Sequence, residues 1–371
     1  MKSLIVCFAL ACLAAVAQVS VPFPTGFKSP EVHDDHRVTF RLNAPKASQA
    51  SCFGDWMPPG TSQKMTRDTN GVWSITLGPL PPSIYIYNFI LDGVAIADPF
   101  NPRIKLRAQT SASLLEMPGD APQLWQTADV PHGTVEIVQH TSRVIAGETR
   151  QVWVYKPPGY EAAKSRRYPV LYLLHGSNDQ PAGWTQVGGA NFILDNLLAR
   201  KQSVPMLVVT PFGHAVPFGS PRELQSKNTA ILEEYLLKEV MPEIEGRFRV
   251  AKGRLNRAII GYSMGGGQSL QIGLGHLDLF ATVGAYSAGV PGDFETRFKR
   301  LLDDPKGTNS KLKLLWIGCG KQDSLFARSQ ALSEMLASRQ ITHVYRPTEG
   351  GHTYTVWRGY LEETVPLLFK K

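Results

Sequence analysis

The chain has 371 residues, 43% hydrophobic and 19% charged, which is ordinary globular usage and excludes an intrinsically disordered chain. Its formal charge of +8 comes from 39 basic and 31 acidic residues. These are scattered, and the densest run, Lys164-Ser165-Arg166-Arg167, is short, so no nucleic-acid role is expected.

In chain order, the first element is a targeting segment. Lys2 precedes an unbroken apolar run from Leu4 to Val16, and Ala15-Val16-Ala17 forms a small-x-small triplet. That is the pattern of a secretory signal peptide over residues 1–17, cleaved after Ala17. The run is shorter than the roughly 20 residues a membrane span needs, so a secreted or periplasmic chain with no membrane attachment is expected. Cleavage removes Cys7 and Cys12. Cys52 and Cys319 remain, too few and too far apart for a disulfide framework.

Residues 25–107 read as β structure. Val38, Phe40 and Leu42 alternate with polar neighbours, as do Trp73, Ile75 and Leu77, and then Tyr85, Tyr87 and Phe89; this is the period of a half-buried strand. Turn formers separate these runs, among them Asn70-Gly71 and Asp92-Gly93. A small immunoglobulin-like β-sandwich is expected, followed by a linker over 108–130, where Met117-Pro118-Gly119-Asp120-Ala121-Pro122 is rich in turn formers. From residue 131 to 371 the rhythm changes. Continuous apolar strands at Val170–Leu174, Met206–Val209, Ala258–Ile260 and Leu314–Ile317 alternate with helical windows, one marked by Leu232, Leu236, Val240 and Ile244. Continuous strands suit a sheet covered by helices on both faces, and the alternation predicts a mostly parallel α/β sheet.

Gly261-Tyr262-Ser263-Met264-Gly265 is a G-x-S-x-G motif between an apolar strand and a helix-capable run, the strand–turn–helix setting that exposes a nucleophilic serine. A serine hydroxyl needs a base, itself oriented by an acid, and in this setting both follow it in the chain. Of the downstream histidines, His276 falls at the end of the following helix and His343 within an alternating run. His352 follows Glu349-Gly350-Gly351 in a loop, where a base can reach across the sheet end. For the acid, Asp323 follows the strand ending at Gly320, whereas Asp303 and Asp304 read as a solvated turn. The backbone N–H of Met264 is one expected oxyanion donor. Ser177, after the strand ending at Leu174, supplies the other, with Gly176 second. His175 is read as a packing residue.

These segments resemble a known family. PVLYLLHGSNDQPAGW (169–184), ANFILDNLL (190–198), RAIIGYSMGG (257–266) and GGHTYTVWR (350–358) are similar to bacterial carbohydrate esterase family 1, which holds feruloyl and acetylxylan esterases. Phe53-Gly54-Asp55-Trp56, Gly71-Val72-Trp73 and Asp98-Pro99-Phe100-Asn101-Pro102 resemble the early-set domain of carbohydrate-binding module family 48. The resemblance implies an α/β-hydrolase fold and a serine esterase that needs no metal or organic cofactor. Its implied partner is an ester-substituted polysaccharide or oligosaccharide, such as feruloylated arabinoxylan. It also implies a flat apolar slot for a hydroxycinnamoyl ring, for which Trp184, Phe212, Tyr354 and Trp357 are candidates. A siderophore esterase, an acetylxylan esterase and a non-catalytic glycan-binding protein are the alternatives. Trp56 and Trp73 are read either as a sugar platform or as core. The oligomeric state stays open.

Overall fold

The computed structural model describes residues 27–145 and 147–370. The expected signal peptide, with Cys7, Cys12 and the Ala17 cleavage site, lies outside the described residues. Among them no helix is long and apolar enough to cross a membrane.

The amino-terminal region is two facing antiparallel sheets. Val38–Asn43 and Val72–Leu77 pair at the centre of one, flanked by Glu31–Val32 and Thr66–Arg67. In the other, Ser83–Leu91 lies between Ala50–Gly54 and Ser111–Met117, with Gln63–Lys64 and Ile104–Leu106 outside them and Val94–Ile96 paired with the end of Ser83–Leu91 itself. Val38, Phe40, Leu42, Tyr85, Tyr87, Phe89, Leu115 and Met117 fill the space between, as the period-2 pattern requires.

The stretch expected as a linker has that form only in its second part, 118–130, which runs without strand or helix from the sandwich to the larger sheet. The stretch begins with the strand Ser111–Met117, whose Ala112 and Leu114 face away from the sandwich core and are buried. The following residues pack as well: Asn196 Nδ2 donates to Leu124 O at 2.7 Å and to Gln126 O at 2.9 Å. The turn formers from Pro118 onward hid a segment held down by its neighbours rather than by its own periodicity.

The rest of the chain builds an eight-stranded sheet. Its strands are β1 (Thr134–Thr141), β2 (Thr149–Lys156), β3 (Val170–Leu174), β4 (Leu207–Pro211), β5 (Arg257–Tyr262), β6 (Thr282–Tyr286), β7 (Leu314–Gly320) and β8 (Val344–Thr348), in the order β1-β2-β4-β3-β5-β6-β7-β8. β3 to β8 are parallel, and β1 and β2 are antiparallel additions at one edge. The main helices are α1 (Ala190–Ala199), α2 (Met264–Gly275), α3 (Phe326–Ser338) and α4 (Tyr354–Thr364). Leu232, Leu236, Val240 and Ile244 are fully buried on a helix that runs from Asn228 to Arg247 through one wider π turn. This is the α/β-hydrolase arrangement, preceded by the β-sandwich.

Two registers position the site. Leu174 lies opposite Gly261, and Tyr262 opposite Tyr286, so the carboxyl ends of β3, β5 and β6 are level. That edge is where open α/β sheets bind ligands. Ile84, Ile86, Ala112 and Leu114 from the sandwich pack in one cluster with Leu171 and Tyr262 of the larger sheet and with Trp184 and Trp357 from helices beside it. The sandwich is therefore seated beside the carboxyl ends of the strands.

Candidate active site

The turn between β5 and α2 holds Ser263 at φ 55° and ψ −118°. Positive φ is rare for a residue with a side chain and costs energy. The turn persists because its backbone is tied on both sides. Ser263 N–H donates to Tyr286 O at 2.9 Å, and its carbonyl accepts from Gly267 N at 3.0 Å and Gly289 N at 2.9 Å. Gly265 allows the close approach: a Cβ there would lie 2.5 Å from His175 O.

The three expected residues meet. His352 Nε2 is 2.9 Å from Ser263 Oγ, and His352 Nδ1 is 2.8 Å from Asp323 Oδ2. A carboxylate can only accept, so Nδ1 carries the proton and Nε2 is free to accept the serine O–H. Asp323 is 5% exposed and also accepts from Leu325 N–H at 2.9 Å. Burial pushes its carboxyl up, but the hydrogen bonds from His352 and Leu325 outweigh that and hold it below the usual carboxylate range. It stays ionised opposite the imidazole. His276 instead pairs with Glu233, and His343 with Ser333. Asp303 faces Lys299 and Arg339, and Asp304 caps a helix.

Ser177 and Gly176 line the cavity that holds Ser263 and His352, while Met264 begins α2. Among the described residues neither Ser177 N–H nor Met264 N–H is taken by a protein acceptor, as expected for the first turn of a helix and for a donor kept for a ligand. Gly176 is glycine for a steric reason: a Cβ would come 2.4 Å from the Tyr262 ring.

Two histidines brace this loop. His175 is fully buried; its Nδ1–H donates to Gly176 O at 2.8 Å and its Nε2 accepts from Gly213 N–H at 2.9 Å. His214 Nε2 accepts from Asn178 N–H at 3.0 Å. Burial depresses both imidazoles to about 4, so each stays neutral and can accept. The packing role read for His175 is the one its contacts describe. His214 was not singled out in the sequence, since a lone histidine in Phe212-Gly213-His214 carries no motif.

Asp179 was missed as well. Its buried carboxylate accepts from the hydroxyls of Tyr262 and Tyr354 and from Gln180 N–H, and pairs with Lys105. Burial pushes it up and the Lys105 ammonium brings it below its usual value. Its position inside the His175–Asp179 loop was the only available signal.

A cavity of about 160 Å3 opens at Ser263, lined by Asp55, Ile86, Lys105 and Arg107 from the sandwich as well as by Tyr262, Tyr354 and Trp357. It borders a cleft of about 1140 Å3, with Asp55, Ile86, Arg107, His352 and Thr353 common to both. Tyr354 and Trp357 present only edges to it: they are 2% and 5% exposed, and Trp357 stacks on Tyr262 with centroids 3.9 Å apart. Trp184 lines neither space. It is fully buried, with Nε1 donating to Leu174 O at 3.1 Å, because the apolar cluster between sheet and sandwich needs its ring. Phe212 stacks on His175. Trp73 is core, with Nε1 bonded to Ala44 O at 2.9 Å. Trp56 stacks on Phe40 and lines the large cleft.

A buried carboxylate, an imidazole and a strained serine in hydrogen-bonded series can carry out acyl transfer. The family model described as putative esterase matches residues 142–368. The chain is 29% identical over 353 residues to an endo-1,4-beta-xylanase/feruloyl esterase of Xylanibacter ruminicola, covering 93% of this chain and 46% of that protein. The chain spans about half the length of the curated relatives it matches. Among solved structures, a ferulic acid esterase is 26% identical with a TM-score of 0.55, over 63% of this chain and 97% of its own. The enterobactin esterase of Shigella flexneri is 21% identical with a TM-score of 0.65, over 89% of this chain and 92% of its own. That second likeness is one of fold, and it extends over most of the chain.

Proposed function

The chain belongs to the putative esterase family, and from that premise we propose that it is a serine carboxylic-ester hydrolase acting on hydroxycinnamoyl esters of plant hemicellulose. The observation that carries the reading is the series Ser263–His352–Asp323, with contacts of 2.9 and 2.8 Å. Ser263 Oγ attacks the ester carbonyl as His352 Nε2 takes its proton, and Asp323 holds the imidazole and stabilises its positive charge. The oxyanion is met by the N–H groups of Met264 and Ser177, each donor worth about 3–4 kcal/mol in the transition state. The imidazolium then protonates the leaving alcohol. Water, activated by the same imidazole, attacks the acyl-enzyme and restores Ser263.

The acyl preference rests on the cavity beside Ser263, which has aromatic edges and polar groups and more room than an acetyl group needs. The relative's printed activity as a feruloyl esterase supports it too. An exported chain fits that substrate, supported by Lys2, the apolar run to Val16 and the Ala15-Val16-Ala17 triplet.

The test is hydrolysis of methyl ferulate by residues 18–371, with p-nitrophenyl acetate in parallel and Ser263→Ala as control. Turnover of both esters, lost in the variant, is expected. Cleavage of the acetate alone would shift the substrate to acetyl esters, and turnover undiminished in Ser263→Ala would overturn the mechanism.

A further inference from the structure

The strand Ile104–Leu106 of the sandwich carries one basic side chain out of its own fold and into the active-site wall. Lys105 pairs with Asp179, and the two side chains are 3% and 8% exposed. Among the described residues no other pairing of Lys or Arg with a carboxylate is as buried on both sides; the next, Arg257 with Glu245, is 10% and 19% exposed. Lys105 also lies 5.6 Å from the centre of the Tyr354 ring.

The place of Asp179 gives this pair its meaning. One carboxylate oxygen accepts from the Tyr262 and Tyr354 hydroxyls, and the other takes the Gln180 N–H together with Lys105. Tyr262 is the residue before Ser263, Tyr354 opens the helix just after His352, and Asp179 is two residues beyond Ser177. A single carboxylate thus joins the serine turn, the base loop and the oxyanion loop. Such a group keeps its charge and its bonds only if a cation accompanies it out of water. The nearest one comes from the other half of the molecule.

We propose that Lys105 is a positioning residue of the active site, acting through Asp179 to hold Ser263 and the Gly176–Ser177 loop in register, so that the β-sandwich completes the catalytic centre. This rests on the esterase reading above. Without the ammonium, Asp179 takes up a proton or turns towards water. Either change gives up an acceptor for one of the tyrosines, and the loops it joined shift. Displacements near 1 Å at such a site cost on the order of 10²-fold in rate. Every ester suffers alike, because the damage lies in the oxyanion and serine geometry rather than in a contact to one acyl group.

The experiment compares Lys105→Met, Lys105→Arg, Asp179→Asn and the double variant Lys105→Met/Asp179→Asn in the mature chain, measuring kcat and KM on methyl ferulate and p-nitrophenyl acetate. In Lys105→Met, kcat should fall roughly 10- to 100-fold on both esters with KM within about twofold. Lys105→Arg, which keeps the charge, should recover most of it. Adding Asp179→Asn to Lys105→Met should cost little more, since both changes remove one interaction. If Lys105→Met does not fold, the double variant, which buries no unpaired charge, carries the test: it should fold, with kcat lowered and KM kept. An unchanged kcat in Lys105→Met, a loss in KM alone, or losses that multiply in the double variant would overturn the proposal. Should Ser263→Ala stay active, the esterase reading fails instead; a dead Ser263→Ala beside a fully active Lys105→Met removes only the role of Lys105.

Discussion

At the scale of residues, the site depends on which way one proton is held. Asp323 is buried, ionised and bonded to His352 Nδ1, which leaves Nε2 as the acceptor that Ser263 needs. Asp323→Asn keeps the shape and removes that preference, because an amide nitrogen turned to Nδ1 favours the opposite tautomer. The expected loss in kcat is on the order of 10³–10⁴-fold with the fold retained, read by steady-state kinetics alongside a thermal melt. A loss below tenfold would mean that the imidazole is oriented by something else. That Ser263, Asp323 and His352 would meet was legible in the chain, since the motif fixes the serine and chain order with loop position narrows its partners. Asp179 and His214 were not legible. Their roles come from backbone groups and tyrosine hydroxyls that only the folded loops bring near, and no spacing announces them.

At the scale of elements, the oxyanion loop after β3 and the loop after β4 hold each other through two neutral imidazoles. His175 accepts from Gly213 N–H and His214 from Asn178 N–H, so protonating either ring turns an acceptor into a donor facing a donor. Both rings titrate near 4 in the folded chain because of burial, against about 6.5 when unfolded. The sign follows from linkage. Above about 6.5 both states are neutral and the rings contribute nothing; as pH falls from 6.5 towards 4 only the unfolded state gains protons, so stability drops. The melting temperature should therefore decline across that window. His214→Gln, whose amide oxygen can still accept from Asn178 N–H, should shallow the decline by up to about 3 kcal/mol at pH 4. An equally steep decline in the variant would assign the acid sensitivity to other groups. The strands meanwhile divide by legibility. β3, β4, β5 and β7 are apolar runs covered on both faces and were visible as such. β6, with Thr282 and Gly284 inside it, was not: Gly284 is small because Ile260 Cγ1 would lie 2.9 Å from a Cβ there, a demand set by the neighbouring strand rather than by period.

At the scale of the whole molecule, the sandwich and the hydrolase sheet are one body around the site. Ser83–Leu91 is buried on both faces, with Tyr85, Tyr87 and Phe89 in the sandwich core and Ile84 and Ile86 in the cluster shared with Trp184 and Trp357. Each fully buried side chain of that size contributes roughly 1.5–3 kcal/mol. Arg358 of α4 reinforces the junction by donating to Ser83 Oγ at 3.2 Å and to Val187 O at 2.7 Å. The alternation of Tyr85, Tyr87 and Phe89 revealed one face of this strand. Nothing in the sequence revealed what covered the other, which is why residues 108–130 read as a linker although Ala112, Leu114 and Trp125 pack between the two halves.

Whether Ser263 is the nucleophile is tested most directly by covalent labelling. The mature chain is incubated with diethyl p-nitrophenyl phosphate, and the modified peptide is identified by mass spectrometry while residual methyl ferulate turnover is followed. One phosphoryl adduct per chain is expected, on Ser263, with activity lost in proportion to labelling and no adduct in Ser263→Ala. Labelling at another residue, or full labelling of Ser263 with turnover intact, would contradict that role.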